Sequence, residues 1–272
     1  VANTIRDAQA FYSQLQQAGW KQAELLHARF IFRDRQQKEA RVSEPKPGTV
    51  FVTTQVVEVS LDISYDVLIT EIAPVDALVQ RMGRVNRRGD KPPAPVWVYS
   101  DWSEGAQRVY GQETLEWSRE IVAELPSEPM DADLAHSTHR LYERVIPSED
   151  WQKELAMGRE TLDYVQRTLG CYTIDLSDEE LRERFTARRG TVSIEVLPTQ
   201  FLEEAYTLKE QSQGWRLPEL LVPVPIWWLK QSAEFFSPVS DLALIQTNLK
   251  YDTELGLQLS PDQDRSATSG II

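Results

Sequence analysis

The chain contains 272 residues, 41% of them hydrophobic, and carries a net charge of −13. This length allows one large or two ordinary domains with a proper hydrophobic core. An acidic chain does not bind nucleic acid through bulk positive charge. One cysteine, Cys171, and three histidines exclude an internal disulfide framework and leave little material for a metal site. No apolar run approaches a membrane span, so we expect a cytoplasmic protein with no metal centre and no membrane partner.

The charge is unevenly distributed along the chain. Residues 1–100 hold 13 basic and 11 acidic side chains, whereas residues 101–272 hold 16 and 31. The acidity therefore belongs to the second part alone. Five basic side chains are concentrated between positions 75 and 91, a pattern typical of phosphate-binding segments. They are Arg81, Arg84, Arg87, Arg88 and Lys91.

In the first hundred residues, short apolar strands alternate with helices. The chain begins with a short apolar stub, Val1-Ala2, which reads as a strand whose beginning is missing, and we expect a fragment. The predicted helices are 3–19 and 33–42, and the predicted strands are 25–27, 49–54, 66–70 and 95–99. Buried strands that alternate with helices favour a parallel sheet. The predicted class is α/β.

Beyond residue 101 the pattern becomes helical and rich in glutamate. The predicted helices are 104–125, 131–145, 150–169 and 177–188, followed by a strand at 191–197 and a polar tail from 260. The segment 217–229, rich in proline and tryptophan, suits an extended edge on a core. Its Trp227 and Trp228 more often pack a module onto its neighbour than stack on bases. We expect domains at 1–100, 101–190 and 191–272.

The segment 80–89, Gln-Arg-Met-Gly-Arg-Val-Asn-Arg-Arg-Gly, carries the strongest chemical signal. Arginines three residues apart on a helix share one face and can converge on a single anion. A glycine inside such a helix, Gly83, is costly unless a ligand or neighbour approaches the backbone closely. The alternative is a solvated helix whose Arg84 and Arg87 pair with Asp76 and Asp90.

A second polar group follows the strand at 49–54. Thr54 and Gln55 stand at its carboxyl end, where open α/β sheets bind ligands. Hydrogen bonding at the strand end, or capping of the next helical run, is an equally good interpretation. Glu58 either contacts nucleotide-linked groups or pairs with a surface arginine.

These segments resemble motifs V and VI of superfamily-two helicases. The run from Thr54 to Gly89, TQVVEVSLDISYDVLITEIAPVDALVQRMGRVNRRG, is similar to the CRISPR-associated helicase-nuclease of type I systems. Residues 3–8 resemble the start of that family's second RecA-like domain, and residues 25–35 its motif IVa. Tyr251-Asp252 with Leu255-Gly256-Leu257 resembles a signature near the family's C-terminus. Ser60 replaces the glycine of many helicases, as it does in this narrower family.

The resemblance implies a RecA-like fold for the first hundred residues and a role for each matching position. It makes Arg84 and Arg87 arginine fingers. The implied ATP-binding residues are Gln80, Asp62 and Gly83. The implied DNA-binding residues are Thr54, Gln55, Asn3, Thr4 and Arg29.

Several motifs of the complete helicase-nuclease family do not occur in this sequence. None of its glycines is followed by lysine, so a P-loop is missing, as are the strand-end magnesium carboxylates and the His-Asp pair of the nuclease. We expect ATP and Mg²⁺ to be bound mainly by a first RecA-like domain, and this chain to be inactive alone. The implied partners are that domain, single-stranded DNA and the CRISPR surveillance complex.

Two other functions compete with this interpretation. Another superfamily-two repair or restriction translocase would share the arginine fingers but not the Tyr251–Leu257 signature. A non-catalytic RecA-like docking module would keep the shape of the domain without requiring any P-loop partner.

Overall fold

The computed structural model describes residues 1–58, 61–169 and 193–259. Its first part is an α/β unit of parallel strand pairs and flanking helices, as the alternating pattern predicts. The elements are α1 (Ile5–Gln17), β1 (Ala23–Leu26), α2 (Phe32–Ser43), β2 (Val50–Thr53), β3 (Leu68–Glu71), α3 (Val75–Met82) and β4 (Val96–Tyr99). A single 3₁₀ turn, Gln55–Glu58, follows β2.

The parallel strands form two pairs, β1 with β2 and β3 with β4. The first residues of the chain lie between these pairs. The Ala2 amide donates to the Thr53 carbonyl at 2.8 Å, and the Val1 nitrogen donates to the Ile69 carbonyl at 2.5 Å. The apolar stub thus joins β2 to β3, as expected of a strand.

The helix that carries the arginine segment is shorter than its sequence spacing predicts. α3 ends at Met82, and Gly83 closes it as the residue after the last turn. Arg84 and Arg87 therefore do not share a helix face, and that prediction was wrong. The glycine explains the early end, since it is among the weakest helix formers and is favoured just past a helix C-terminus.

The middle of the chain is helical, as predicted. Its helices are α4 (Glu104–Tyr110), α5 (Gln112–Ala123), α6 (Asp131–Val145) and α7 (Glu149–Leu169). The single helix predicted at 104–125 was wrong, because Gly111 interrupts it with a φ of +79°, a conformation that favours glycine. Val75 of α3 packs with Ile121 of α5 and Leu141 of α6.

The C-terminal part contains a four-stranded sheet in the order β6-β5-β8-β7. Its elements are β5 (Ser193–Pro198), α8 (Leu202–Glu210), β6 (Val222–Pro225), α9 (Trp227–Gln231), β7 (Phe236–Val239) and β8 (Leu244–Thr247). β6, which carries two prolines, is an edge strand, so the extended edge predicted at 217–229 is confirmed at 222–225. The prediction was wrong at both ends, where a 3₁₀ helix (Gly214–Leu220) precedes the strand and α9 follows it. Trp228 is buried in one cluster with Leu25 and Val52 of the first part, so it packs the two parts together.

The chain then returns to the first part through a small hairpin, β9 (Tyr251–Asp252) and β10 (Gly256–Leu257). The Tyr251 hydroxyl donates to Asp34 at 2.7 Å, and the Leu257 amide donates to the Arg29 carbonyl at 2.8 Å. The residues of the signature near the C-terminus therefore hold the hairpin against α2 and the segment before it.

Some predictions fall outside the described residues: the helix at 177–188, Cys171, Ser60 and the tail from 260. Among the helices that the structure describes, none combines the length and the apolar character needed to cross a lipid bilayer.

Candidate functional site

The candidate site lies where β2 and β3 end and the arginine segment begins. The chain after α3 runs beside the segment that precedes β3, because Tyr65 exchanges backbone hydrogen bonds with Arg84 and Asn86 at 3.0 and 2.9 Å. The Arg87 amide donates to the Ser64 hydroxyl at 3.1 Å. The backbone that carries Arg84 and Arg87 is thus held at both sides.

Arg84 is anchored on the turn that follows β2. Its Nε donates to the Val57 carbonyl at 2.8 Å and its Nη2 to the Glu58 carbonyl at 2.6 Å. These bonds use two of the five N–H groups of a guanidinium. Within the described part of the chain, three N–H groups are left for a further acceptor.

Arg87, by contrast, is close to solvent. Its side chain is 43% exposed, and its Nε lies 3.5 Å from Asp62, whose side chain is 90% exposed. Such an exposed pair contributes little to stability. The alternative, in which these arginines pair with Asp76 and Asp90, differs from the observed contacts. Arg84 bonds to backbone carbonyls and Arg87 lies beside Asp62. Asp76 accepts from the Tyr142 hydroxyl at 2.9 Å.

The other two implied nucleotide residues are also exposed. They are Gln80, in the last turn of α3, and Gly83, directly after it. A glycine here leaves the backbone accessible to a ligand. Gln80, Gly83 and Arg87 are thus the exposed residues of the segment 80–87, and we call them the open edge.

Arg81 is the residue that sequence reasoning missed. It is fully buried, and each of its N–H groups has an acceptor. The acceptors are Glu58 Oε1 at 2.8 Å, Thr70 Oγ1 at 2.7 Å, Asn3 Oδ1 at 3.0 Å, the Tyr110 hydroxyl at 3.1 Å and the Glu71 carbonyl at 3.2 Å. A buried cation is tolerated when it is paired and fully hydrogen-bonded in this way.

A sequence signal for this burial does exist. Arg81 follows Leu78 by three positions and Val75 by six, on the buried stripe of α3. Glu58 is accordingly the partner of a buried arginine and not of a surface one. Burial also raises the pKa of the neighbouring Glu71 carboxyl and of the Tyr110 hydroxyl.

The residues predicted for a DNA groove occupy different environments. Asn3 is buried, with its side chain bonded to Ile72 and Arg81. The side-chain amide of Gln55 donates to the Asn3 backbone carbonyl at 2.8 Å and to the Tyr110 hydroxyl at 3.0 Å. Their contact with DNA stays a prediction, and the structure brings both into the Arg81 network.

Thr4, Thr54 and Arg29 lie apart from that network. Thr4 caps α1, its hydroxyl accepting from the Asp7 amide at 3.1 Å. Thr54 is buried at the end of β2. The Arg29 guanidinium lies 4.4 Å from the centre of the Trp228 ring. These three assignments also stay predictions.

The arrangement can bind an anion but does not form a metal site. In the described ranges, no group of three or more His, Cys, Asp or Glu side chains lies close enough to hold a metal ion. The exposed arginine edge with the anchored Arg84 has the donor geometry that suits phosphate oxygens. The chemistry open to Arg84 and Arg87 is hydrogen bonding and charge pairing with an anion.

Comparisons with known proteins relate the chain to one family of sequences. Residues 1–90 match the family described as CRISPR-associated nuclease/helicase Cas3, C-terminal. The chain is 35% identical over 133 residues to the CRISPR-associated nuclease/helicase Cas3 of Streptococcus thermophilus, which covers 42% of this chain. It is 31% identical over 174 residues, 61% of the chain, to the CRISPR-associated helicase Cas3 of Thermoproteus tenax. The chain is therefore similar to C-terminal portions of Cas3 helicases, most clearly over residues 1–90.

Solved Cas3 structures share its fold. The structure of T. fusca Cas3-ATP superposes with a TM-score of 0.67 at 21% identity, over 95% of this chain and 38% of that one. A chain of a structure described as a CRISPR RNA-guided surveillance complex, pre-nicking, superposes with a TM-score of 0.60 at 22% identity, over 95% of this chain and 40% of that one. The fold is therefore RecA-like in its first part.

The chain spans only part of its Cas3 relatives. It corresponds to 14% of the Streptococcus protein and 29% of the Thermoproteus protein. A complete Cas3 therefore contains regions without a counterpart in this chain.

Proposed function

We propose that the chain supplies the second RecA-like half of an ATP-dependent helicase that moves along single-stranded DNA in type I CRISPR interference. The observation that carries this proposal is the placement of Arg84. Its guanidinium is fixed to two backbone carbonyls after β2, and it belongs to the same short chain segment as the exposed residues Gln80, Gly83 and Arg87. An anchored arginine beside an open edge suits a site completed by a second domain.

In this proposal the first RecA-like domain brings the nucleotide to that edge. Arg84 and Arg87 then donate to the oxygens of the transferring phosphate, where developing charge makes such contacts worth most. Gln80 and Gly83 border the phosphates, and Asp62 holds Arg87 in place or contacts the ribose. Arg84 needs little reorganisation, because its backbone and two of its N–H groups are already fixed.

The cofactor would be ATP with Mg²⁺, which neutralises phosphate charge when bound. The solved relative described as Cas3-ATP supports a nucleotide in this family. The described residues of this chain offer no carboxylate cluster for the metal. We therefore assign the metal ligands and the P-loop to the first RecA-like domain, and we expect the present chain alone not to hydrolyse ATP.

The DNA would run along the ends of β2 and α1. Thr54 is the proposed phosphate contact, with Thr4 and Arg29 bordering the groove. The internal hydrogen bonds of Asn3 and Gln55 favour a supporting role for these two, in which they hold the strand ends in place. The surveillance complex is the proposed protein partner, in line with the solved neighbour of that description.

The decisive experiment replaces Arg84 in the full-length protein and measures ATP hydrolysis with and without single-stranded DNA. Arg84→Ala should lower DNA-stimulated turnover by about 10³-fold or more, because an arginine finger typically contributes that much. Arg84→Lys keeps a charge but not the paired donors, and should be almost as slow.

Arg88→Ala is the matched control, since Arg88 is exposed, lies four residues away and has no proposed role. It should keep at least half of the wild-type turnover. DNA affinity, measured in parallel, should change little in all three variants, and thermal unfolding should show that each variant still folds cooperatively. Wild-type turnover in Arg84→Ala would disprove the proposed role.

A further inference from the structure

The Tyr110 hydroxyl lies between the two ends of the turn on which Arg84 is anchored. It accepts from Gln55 Nε2 at 3.0 Å, at the start of the Gln55–Glu58 turn. It also accepts from Arg81 Nη2 at 3.1 Å, and Arg81 Nε donates to the Glu58 carboxylate at the end of that turn at 2.8 Å. One hydroxyl therefore connects to both ends of the turn.

This turn positions Arg84 through its own backbone. The Val57 and Glu58 carbonyls accept from Arg84, so a displacement of the turn displaces the guanidinium. Tyr110, however, belongs to the helical region, as the last residue of α4. The contact thus connects the helical region to the arginine anchor.

The place of Tyr110 is well determined by the fold. Its ring packs against the cluster of Ile72, Ala73 and Leu78, at the end of β3 and along α3. Gly111 ends α4 directly after it, in a backbone conformation that favours glycine. The hydroxyl stays neutral at ordinary pH, because burial raises its pKa, and a neutral hydroxyl can accept two hydrogen bonds.

We propose that Tyr110 is a positioning residue, which sets the orientation of the Arg84 guanidinium by fixing both ends of the Gln55–Glu58 turn. This inference rests on the proposed function for its effect on turnover, but the coupling itself is a property of this chain. It makes the helical region a direct determinant of the geometry of the arginine site.

Removal of the hydroxyl should leave the fold intact. Both of its donors have a second acceptor on Asn3, since Gln55 Nε2 also donates to the Asn3 carbonyl and Arg81 Nη2 to Asn3 Oδ1. Each of these two nitrogens therefore keeps one hydrogen bond when Tyr110 becomes phenylalanine, while one N–H group on each loses its acceptor. What is lost is the link between the two ends of the turn.

A matched control is available in Tyr142. Its hydroxyl also connects the helical region to α3, but at the opposite end of that helix, where it donates to Asp76 at 2.9 Å. Tyr142→Phe removes a contact of the same kind away from the Gln55–Glu58 turn. A merely structural role predicts the same behaviour for both variants.

The first measurement is the kinetics of DNA-stimulated ATP hydrolysis by the full-length protein. We expect Tyr110→Phe to lower kcat about three- to tenfold, because two hydrogen bonds are lost and only part of their free energy affects the transition state. The KM for ATP should change less than twofold, because Arg84 acts mainly on the charge that develops in the transition state. Tyr142→Phe should keep the kcat of the wild type. Equal kcat in all three proteins would overturn the inference.

The second measurement separates this inference from the proposed function. Hydrogen–deuterium exchange of peptides that contain residues 55–58 and 81–87 should become faster in Tyr110→Phe and stay unchanged in Tyr142→Phe. Unchanged protection in Tyr110→Phe would refute the coupling whatever the ATPase result. If the wild type shows no DNA-stimulated hydrolysis but the exchange differs as expected, the proposed function fails and the positioning contact stands.

Discussion

The two parallel strand pairs of the RecA-like part differ in how their faces are covered. In β1 and β2, Leu25 and Val52 pack against Val196, Val222 and Trp228 of the C-terminal part. On the opposite face, Leu26 packs with Val42 and Val57. This pair is buried on both sides, which is the usual condition of parallel strands.

The pair β3 and β4 is covered on one face only among the described residues. Leu68 and Thr70 point inwards, whereas Ile69 and its register partner Trp97 are 46% and 53% exposed. Tyr99 continues the same exposed face. The difference teaches that this face of β1 and β2 is covered by α1 together with residues more than 140 positions later in the chain.

The comparison predicts that substitution of two tryptophans lowers the free energy of unfolding by very different amounts. Trp228→Ala should lower the free energy of unfolding by about 3–5 kcal/mol, because the residue is 1% exposed and the cavity cannot fill easily. Trp97→Ala, on the exposed face, should cost less than about 1 kcal/mol. Urea unfolding of both variants checks this, and equal costs would contradict the asymmetry.

A smaller effect is expected where the C-terminal hairpin closes on the chain segment after β1. Gly256 has a φ of +72°, and a β-carbon there would lie 2.5 Å from the Arg29 carbonyl oxygen and 2.7 Å from the His27 ring. Gly256→Ala should therefore cost about 2–3 kcal/mol of unfolding free energy.

Gly89→Ala, before β4, is the control for backbone strain alone. Gly89 has a φ of +65°, but no described atom lies within 4 Å of its β-carbon position. It should cost only about 1 kcal/mol. If both alanine variants unfold at the same urea concentration, the close contact of Gly256 with Arg29 and His27 adds nothing to the cost of the substitution.

The smallest expected effect concerns pH. His27 follows β1 and stacks on Phe30, its Nδ1 accepts from the Arg29 amide, and its Nε2 lies 3.1 Å from the Leu255 carbonyl. Burial is the main cause that lowers its pKa to about 3. The folded protein therefore binds this proton less readily than the unfolded chain. The contribution of neutral His27 to the free energy of unfolding is complete above pH 6.5 and falls as the pH drops towards 3.

At pH 5 this linkage should cost roughly 2 kcal/mol relative to pH 7. His27→Gln should reduce the loss of unfolding free energy between these pH values by about that amount. His139→Gln, on the exposed face of α6, should leave the loss as in the wild type. An identical pH dependence in His27→Gln and the wild type would show that this histidine is not held neutral.

Local patterns predicted most elements to within a few residues. β2, predicted at 49–54, spans Val50–Thr53, and the helix predicted at 131–145 is α6, Asp131–Val145. These succeed because hydrophobic periodicity acts over a few residues. The end of α3 was missed because the arginine spacing outweighed the stop signal of Gly83.

In the candidate site too, residues of a continuous motif could be predicted, whereas contacts between distant positions could not. Arg84 and Arg87 are proposed from their motif, since the motif is continuous in sequence, and their role stays a prediction. The Arg81 network is not, because its partners come from the distant positions Asn3, Glu58 and Tyr110. No local pattern specifies which buried donor meets which acceptor.

The sequence by itself determined the α/β class of the first part, the helical character of the middle, and a motif family that includes the arginine segment. Only the tertiary structure decided that Arg81 is buried while Arg87 is exposed, and that the hairpin at 251–257 closes on the segment after β1. The physical reason is range: propensity and periodicity act between near neighbours, whereas burial and hydrogen-bond partners depend on segments brought together from across the chain.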